Sequence, residues 1–271
     1  MTKQMFASVN RIDHLKTIPM NTRSFFHFLT FALLISFSSS LLLACESQET
    51  AIDPPAELTL SEEQAVTILT ASLEADAQGL DAATAESVDL AESAKSAEAE
   101  AAIECGMPFD SSYNFTRNNS LVEAAYDVTI GWTPECNGLG LVQSISYERS
   151  LDGSYTTQRM SSNETGSANW TIDNLTGGGT TYLINGNYQR QGNQIITTNR
   201  TTRTFDSVIE FTVENLNIDK GDRRITSGQA DFTLEGTSGG GNDFLLEGSI
   251  VFLGSGQAVI TINGNQYTVS F

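Results

Sequence analysis

Histidine is the scarcest chemistry in these 271 residues: the two present are His14 and His27. Both fall in an N-terminal stretch that reads as a cleaved leader, so the mature chain carries no imidazole. A Ser-His-Asp or Cys-His mechanism is thereby excluded, and so is any histidine-ligated metal. Cysteine is nearly as rare, with Cys45, Cys105 and Cys136. Two thiols without histidine make a poor zinc set. Phosphate-binding glycine loops, nucleophile elbows and dinucleotide fingerprints are missing too, and the glycine runs fall at hairpin positions. The expectation is a protein without cofactor or metal that is not an enzyme.

Basic residues are also short: 14 Lys and Arg stand against 33 Asp and Glu, for a net charge of -19. The imbalance is concentrated over residues 45–104, where 15 acids meet the single base Lys95. A polyanion would approach against this field, and no basic run interleaved with aromatics reverses it locally. Nucleic acid is therefore not an expected partner. The acid-rich stretch reads as a solvated tether over 45–60 followed by a helical segment over 61–104.

What is present begins with the leader, residues 1–44, whose true start is expected at Met20. Residues 20–23 are polar and carry Arg23, and residues 25–44 are dominated by Phe, Leu, Ile, Ala and Ser, the layout of a signal peptide. A membrane-spanning helix is the alternative, since about 20 apolar residues cross a bilayer. Ser36, Ser38, Ser39, Ser40 and His27 dilute that span. Leu42-Leu43-Ala44-Cys45 closes the stretch and resembles the lipobox of bacterial lipoproteins. The resemblance implies diacylation of the Cys45 thiol and cleavage after Ala44, with N-terminal acyl chains then holding the protein to a membrane. Glu46, Glu49, Asp53 and Glu57 come next. Acids after the lipidated cysteine accompany surface export in some Gram-negative lipoproteins, and this similarity points to the exposed side of the outer membrane.

Asp53-Pro54-Pro55 keeps the tether extended. Ser61 and Gln64 have the spacing of a capping box, and Ala65, Leu69, Leu73 and Ala77 recur on one helical face until Gly79 ends the helix. A second helix is expected from about Ala82 to Glu104, rich in Ala, Glu and Ser but poor in large apolar residues. It reads as packing weakly on the C-terminal domain, or as a stalk. Export places Cys105 and Cys136 in an oxidising compartment, where they are expected to form a disulfide.

From residue 105 to 271 the period changes to two. Tyr126, Val128, Ile130 and Trp132 alternate with polar or small residues, as do Phe205, Ile209, Phe211 and Val213, and then Ala230, Phe232 and Leu234. Turn signals recur at 151–153, 176–179, 191–193, 219–222, 238–242, 254–256 and 263–264. These short intervals predict a mainly β domain, an antiparallel meander of about nine or ten strands. Glycines inside alternating strands, at Gly186, Gly228 and Gly248, favour a curved sheet or barrel over a flat layer, with a sandwich as rival. The whole layout is similar to that of a group of Gram-negative surface lipoproteins, a likeness that brings no activity with it.

Candidate ligand-binding residues are Arg190, Arg200 and Arg203, with Arg223 and Arg224 on neighbouring hairpins, as a patch for an anionic glycan or lipid headgroup. Trp132, Trp170, Tyr182 and Tyr188 are candidates for stacking on sugars. Glu210, Glu214, Glu235 and Glu247 are the acids that a two-carboxylate glycosidase would need, although a solvated strand face is their simpler role. Asp219 and Asp222 read as a tight turn rather than a calcium loop. Three functions are in view: a non-catalytic envelope-binding or structural lipoprotein with a protein or glycan partner, a barrel carrying a lipid or other apolar ligand, and a carboxylate glycosidase.

Overall fold

A computed structural model gives the architecture and describes residues 59–99, 104–198 and 201–271. The leader with Leu42, Leu43, Ala44 and Cys45, the Met20 start, most of the tether and Arg200 lie outside the described residues. All described residues fall in one compact unit, Ile52–Phe271.

Helix α1 (Glu62–Leu73) begins as its spacing requires. The Ser61 hydroxyl accepts from the Gln64 amide at 3.3 Å, and the Gln64 side chain accepts from the Ser61 amide at 3.1 Å, so two otherwise orphaned donors are satisfied reciprocally. Its buried stripe is Ala65, Ile68, Leu69 and Leu73. The helix stops well before Gly79. Glu74 turns extended, Ala75–Ala77 form a short 3-10 turn, and Gln78 sits in the left-handed region at φ 54°. Gly79 instead permits close packing, because a Cβ there would lie 2.6 Å from the Ser72 carbonyl oxygen.

Helix α2 (Leu80–Ala99) follows at once. It does not pack weakly: Leu80, Ala83, Ser87, Val88, Ala91 and Ala94 are all buried. The scarcity of large apolar residues in its sequence has a steric meaning. A face of Ala and Ser lets the helix axis approach the sheet closely, and the sheet supplies the bulk with Tyr147, Trp170 and Tyr182, each buried.

Ten strands form a single sheet in chain order, every neighbouring pair antiparallel. They are β1 (Phe109–Asn118), β2 (Val122–Cys136), β3 (Val142–Thr157), β4 (Met160–Asp173), β5 (Thr181–Thr197), β6 (Thr202–Asp219), β7 (Ile225–Ser238), β8 (Asp243–Gly254), β9 (Gln257–Ile262) and β10 (Asn265–Ser270). Among the described residues β1 and β10 do not pair, so the sheet is open and not a barrel, and all ten strands belong to one sheet rather than to the two of a sandwich. One set of alternating side chains faces the helices and is buried. The other set, including Glu123, Asp127 and Thr129, is exposed.

Two expected turns are corrected. Residues 151–153 lie inside β3 and 191–193 inside β5. Gly153 and Gly192 serve close backbone approach there, not chain reversal. The reversals that were not anticipated run through Asn119, Asn137, residues 158–159 behind Thr157, and Thr198. The Asn119 side chain accepts from the amides of Leu121 and Val122, each at 2.8 Å, and Asn137 accepts from those of Leu139 and Leu141. Asparagine and threonine cap these turns.

The helical segment reaches both ends of the open sheet. Asp76 in the 3-10 turn pairs with Arg117 on β1 at 2.8 Å. The same turn shares a cleft of about 450 Å³ with Ser270 and Phe271 at the end of β10. The start of α1 is fastened to the β9–β10 hairpin, where the Glu62 carboxylate accepts from the Tyr267 hydroxyl at 2.5 Å and from Asn265 and Asn263 at 2.9 and 3.0 Å. A disulfide joins Cys105, after α2, to Cys136 at the end of β2.

Candidate functional site

The sequence-predicted residues do not assemble into one site. Arg190 and Trp170 are buried beneath the helices, and both work as fasteners. Arg190 donates through Nη2 to the Ala77 carbonyl at 2.7 Å and to the Tyr126 hydroxyl at 3.1 Å, and it pairs with the buried Glu164. Glu164 accepts in addition from Tyr126 at 2.5 Å and from Ser162 at 3.1 Å. Burial opposes the Arg190 charge, but the surrounding Tyr188, Glu164, Tyr126 and Tyr155 hold its pKa above the ordinary arginine value. The guanidinium is therefore a fixed cation under the helices.

Arg149, which the sequence did not single out, repeats the device on β3. Its Nη2 donates to the Gln78 side-chain oxygen at 2.6 Å, its Nη1 to the Gln78 carbonyl at 3.2 Å, and its Nε to Glu86 on α2 at 3.0 Å. The Tyr147 hydroxyl donates to the same Glu86 oxygen at 2.8 Å. Two sheet arginines thus occupy the C-terminal carbonyls of the 3-10 turn, where orphaned acceptors favour cations.

Trp170 stacks on Tyr147 at 5.2 Å and donates through its indole nitrogen to Ser87 at 3.0 Å. Trp132 is half-buried and stacks on Phe109 at 4.4 Å. Tyr182 is buried against Glu92 of α2, with Lys220 4.3 Å and Lys95 5.8 Å from its ring centre. Arg223 pairs with Asp89 of α2. Arg203 stands at the start of β6, opposite Ile196. Trp170 and Tyr182, proposed for sugar stacking, therefore hold the helices, and the arginines are dispersed.

The carboxylates Glu210, Glu214, Glu235 and Glu247 all lie on the exposed face. Glu210 accepts from Gln189 at 2.9 Å and Glu214 from Gln229 at 3.2 Å, cross-strand pairs of an ordinary solvated sheet. Asp219 accepts from the Gly221 and Asp222 amides at 2.7 and 3.0 Å, as its turn reading requires. Among the described residues, no group of three or more acids, thiols or imidazoles is placed to hold a metal ion.

The exposed face does carry a concavity. Beneath it runs the backbone of one row, Gly153, Glu164, Gly192, Ser207, Gly236 and Phe244, each opposite the next on the neighbouring strand, with the Glu164 and Ser207 side chains turned to the buried side. At Gly236 a Cβ on the helix-facing side would strike the Asp206 carbonyl oxygen, so only glycine permits this approach of β7 to β6. Along the same row lie two open depressions of about 640 and 520 Å³ that share Gln191 and Gly192. The larger is lined by Asp206, Val208, Glu235, Thr237 and Leu245, the smaller by Asp152, Ser154, Asn163 and Thr165. Neither is lined by a basic side chain among the described residues. The trace of this groove in the sequence is glycine in the middle of strands, a signal that also fits a turn.

No protein-family model, curated protein or solved structure matches the chain.

Proposed function

We propose that this chain is a lipid-anchored, non-catalytic binding protein of the bacterial envelope, tethered through Cys45 at the outer membrane and presenting the open face of its sheet to a partner outside the cell. The observation that carries the binding part is the division of the sheet into two unlike faces. The helix-facing side is occupied by α1 and α2, with Arg149 and Arg190 locked onto their connection. The opposite side is polar and grooved, with acids and no bases lining its depressions among the described residues. Helices α1 and α2 cover the side of the sheet where an apolar ligand would have to sit, and the sheet does not close into a barrel, which argues against the apolar-lumen carrier. The placement of Glu210, Glu214, Glu235 and Glu247 on the solvated face, with Glu210 and Glu214 paired across strands, favours binding over glycoside hydrolysis.

The placement rests on Leu42-Leu43-Ala44-Cys45 and is tested by expressing the full chain in a Gram-negative host. The expected product begins at Cys45, has the added mass of its acyl chains, partitions with outer membranes and is degraded by protease added to intact cells. Cys45→Ser should abolish the acyl mass. Recovery of unacylated chain from the cytosol would sink the reading.

A further inference from the structure

We infer that β1 is a self-pairing edge, through which two copies of this chain join their sheets antiparallel around a two-fold axis at Asn114. The inference goes beyond the binding-protein reading above and does not depend on it. Its first support is the hydrogen-bond phase of the strand. The Asn119 amide donates to the Val122 carbonyl at 3.0 Å, which closes the β1–β2 hairpin. Counting back along the register from that pair, Arg117, Phe115, Tyr113, Ser111 and Phe109 are the residues bonded to β2. The amides and carbonyls of Asp110, Ser112, Asn114, Thr116 and Asn118 therefore point off the edge of the sheet. Among the described residues none of these groups meets a partner.

Nothing protects this edge. Folded proteins blunt such strands with proline, lysine, a bulge or short length. β1 runs for ten residues, has neither proline nor lysine, and keeps an unbroken register with β2. None of its residues is buried, and its one base, Arg117, is turned to Asp76. The other edge, β10, has six residues, and its Asn265 and Tyr267 side chains are bound to Glu62 of α1. A main-chain array as long as that of β1 fits another extended strand.

Charge selects a second copy as that strand. In a chain of net charge -19, β1 is neutral, with Asp110 against Arg117. The register centred on Asn114 is the one that engages every outward residue of both copies. It sets Asp110 opposite Asn118 of the second copy and Ser112 opposite Thr116, so no like charges meet. On the helix-facing side it sets Tyr113, 38% exposed, opposite Phe115 of the second copy, twice by symmetry. These are non-hydrogen-bonded positions of the new pairing, where side chains approach most closely and aromatic pairs gain most.

The test is sedimentation equilibrium of the full-length protein, in density-matched detergent where it is acylated. Wild type should show a monomer–dimer equilibrium at micromolar to submillimolar concentration. Double variants then read the register, because Ser112 and Thr116 lie opposite the uncharged Thr129 and Ala125 within their own chain. Ser112→Glu with Thr116→Lys places two acid–base pairs across the axis and should tighten the dimer. Ser112→Glu with Thr116→Glu should weaken it about fivefold or more. Ser112→Lys with Thr116→Lys should weaken it as well, although it lowers the net acidity of the chain, which separates local repulsion from overall charge. Both positions are exposed, and an unaltered circular dichroism spectrum verifies folding. Wild type that stays monomeric at submillimolar concentration overturns the inference. So does a dimer that the variants leave unchanged, which would lie on another surface, or an open-ended series of oligomers, which a β1-to-β10 contact would generate. Acylation plays no part in this readout: its failure leaves the envelope placement standing, and unacylated cytosolic chain that dimerises as described defeats the placement alone.

Discussion

Arg190 of β5 donates to the main-chain oxygen of Ala77, 113 residues earlier in the chain, from within a fully enclosed pair with Glu164. One guanidinium thereby satisfies both a helix-end carbonyl and a buried carboxylate. Removing it exposes neither to water.

Arg190→Met should therefore be among the most damaging single changes in the sheet. It strands Glu164 as an unpaired buried charge, which costs about 3–5 kcal/mol in comparable cases. Urea unfolding measures it. The double variant Arg190→Met, Glu164→Gln should recover part of that loss, because the orphaned charge is gone while the Ala77 carbonyl remains unpaired.

Gly236→Ala should destabilise by about 1–3 kcal/mol or more, the range for overpacking, since its Cβ meets backbone and not a flexible side chain. Gly178→Ala is the control, because nothing lies within 4 Å of a Cβ there. Equal melting temperatures for the two variants would refute the close-approach role of the glycine row.

Replacing Cys105 and Cys136 together by serine opens a loop with a sequence separation of 31. By loop entropy this should cost about 3–4 kcal/mol. In the wild-type protein neither cysteine should react with a thiol reagent until reduced. Labelling of both in the folded, unreduced protein would contradict the bridge.

The contact between α1 and β10 should depend on acid. Hydrogen bonds from Tyr267, Asn263 and Asn265 hold the Glu62 pKa below its ordinary value of 4.5. The unfolded chain thus takes up this proton before the folded one does. The stabilisation is complete above the ordinary value and is lost as pH falls through the depressed one. In the alkaline range the Tyr267 hydroxyl, pushed up to about 12 chiefly by its hydrogen bond to Glu62, reports the same contact. Glu62→Gln should return the Tyr267 ring titration, followed by NMR, towards the ordinary phenol value. An unmoved titration would show the bond to be absent in solution.

Strand content, antiparallel order and the Ser61 capping box were readable in the sequence because each rests on local spacing. Period two in Phe205 to Val213 and the Ser61–Gln64 pair both survive intact in the structure. Helix docking was not readable. Burial of α2 depends on polar partners such as Tyr147, Arg149 and Trp170, which lie 61 to 83 residues away from Glu86 and Ser87. The groove was hidden for a related reason. Gly153 and Gly192 look like turns in one dimension, and only the cross-strand register shows them to be neighbours of Glu164.

The fastening of Glu62 to residues 263, 265 and 267 has a consequence for how the molecule comes into being. The first helix is not fully fastened until the final hairpin exists, so a growing chain spends most of its synthesis without a finished core. Such long-range closure makes for slow folding. A chain wired this way stays open until nearly its last residue has been made, and it locks only then.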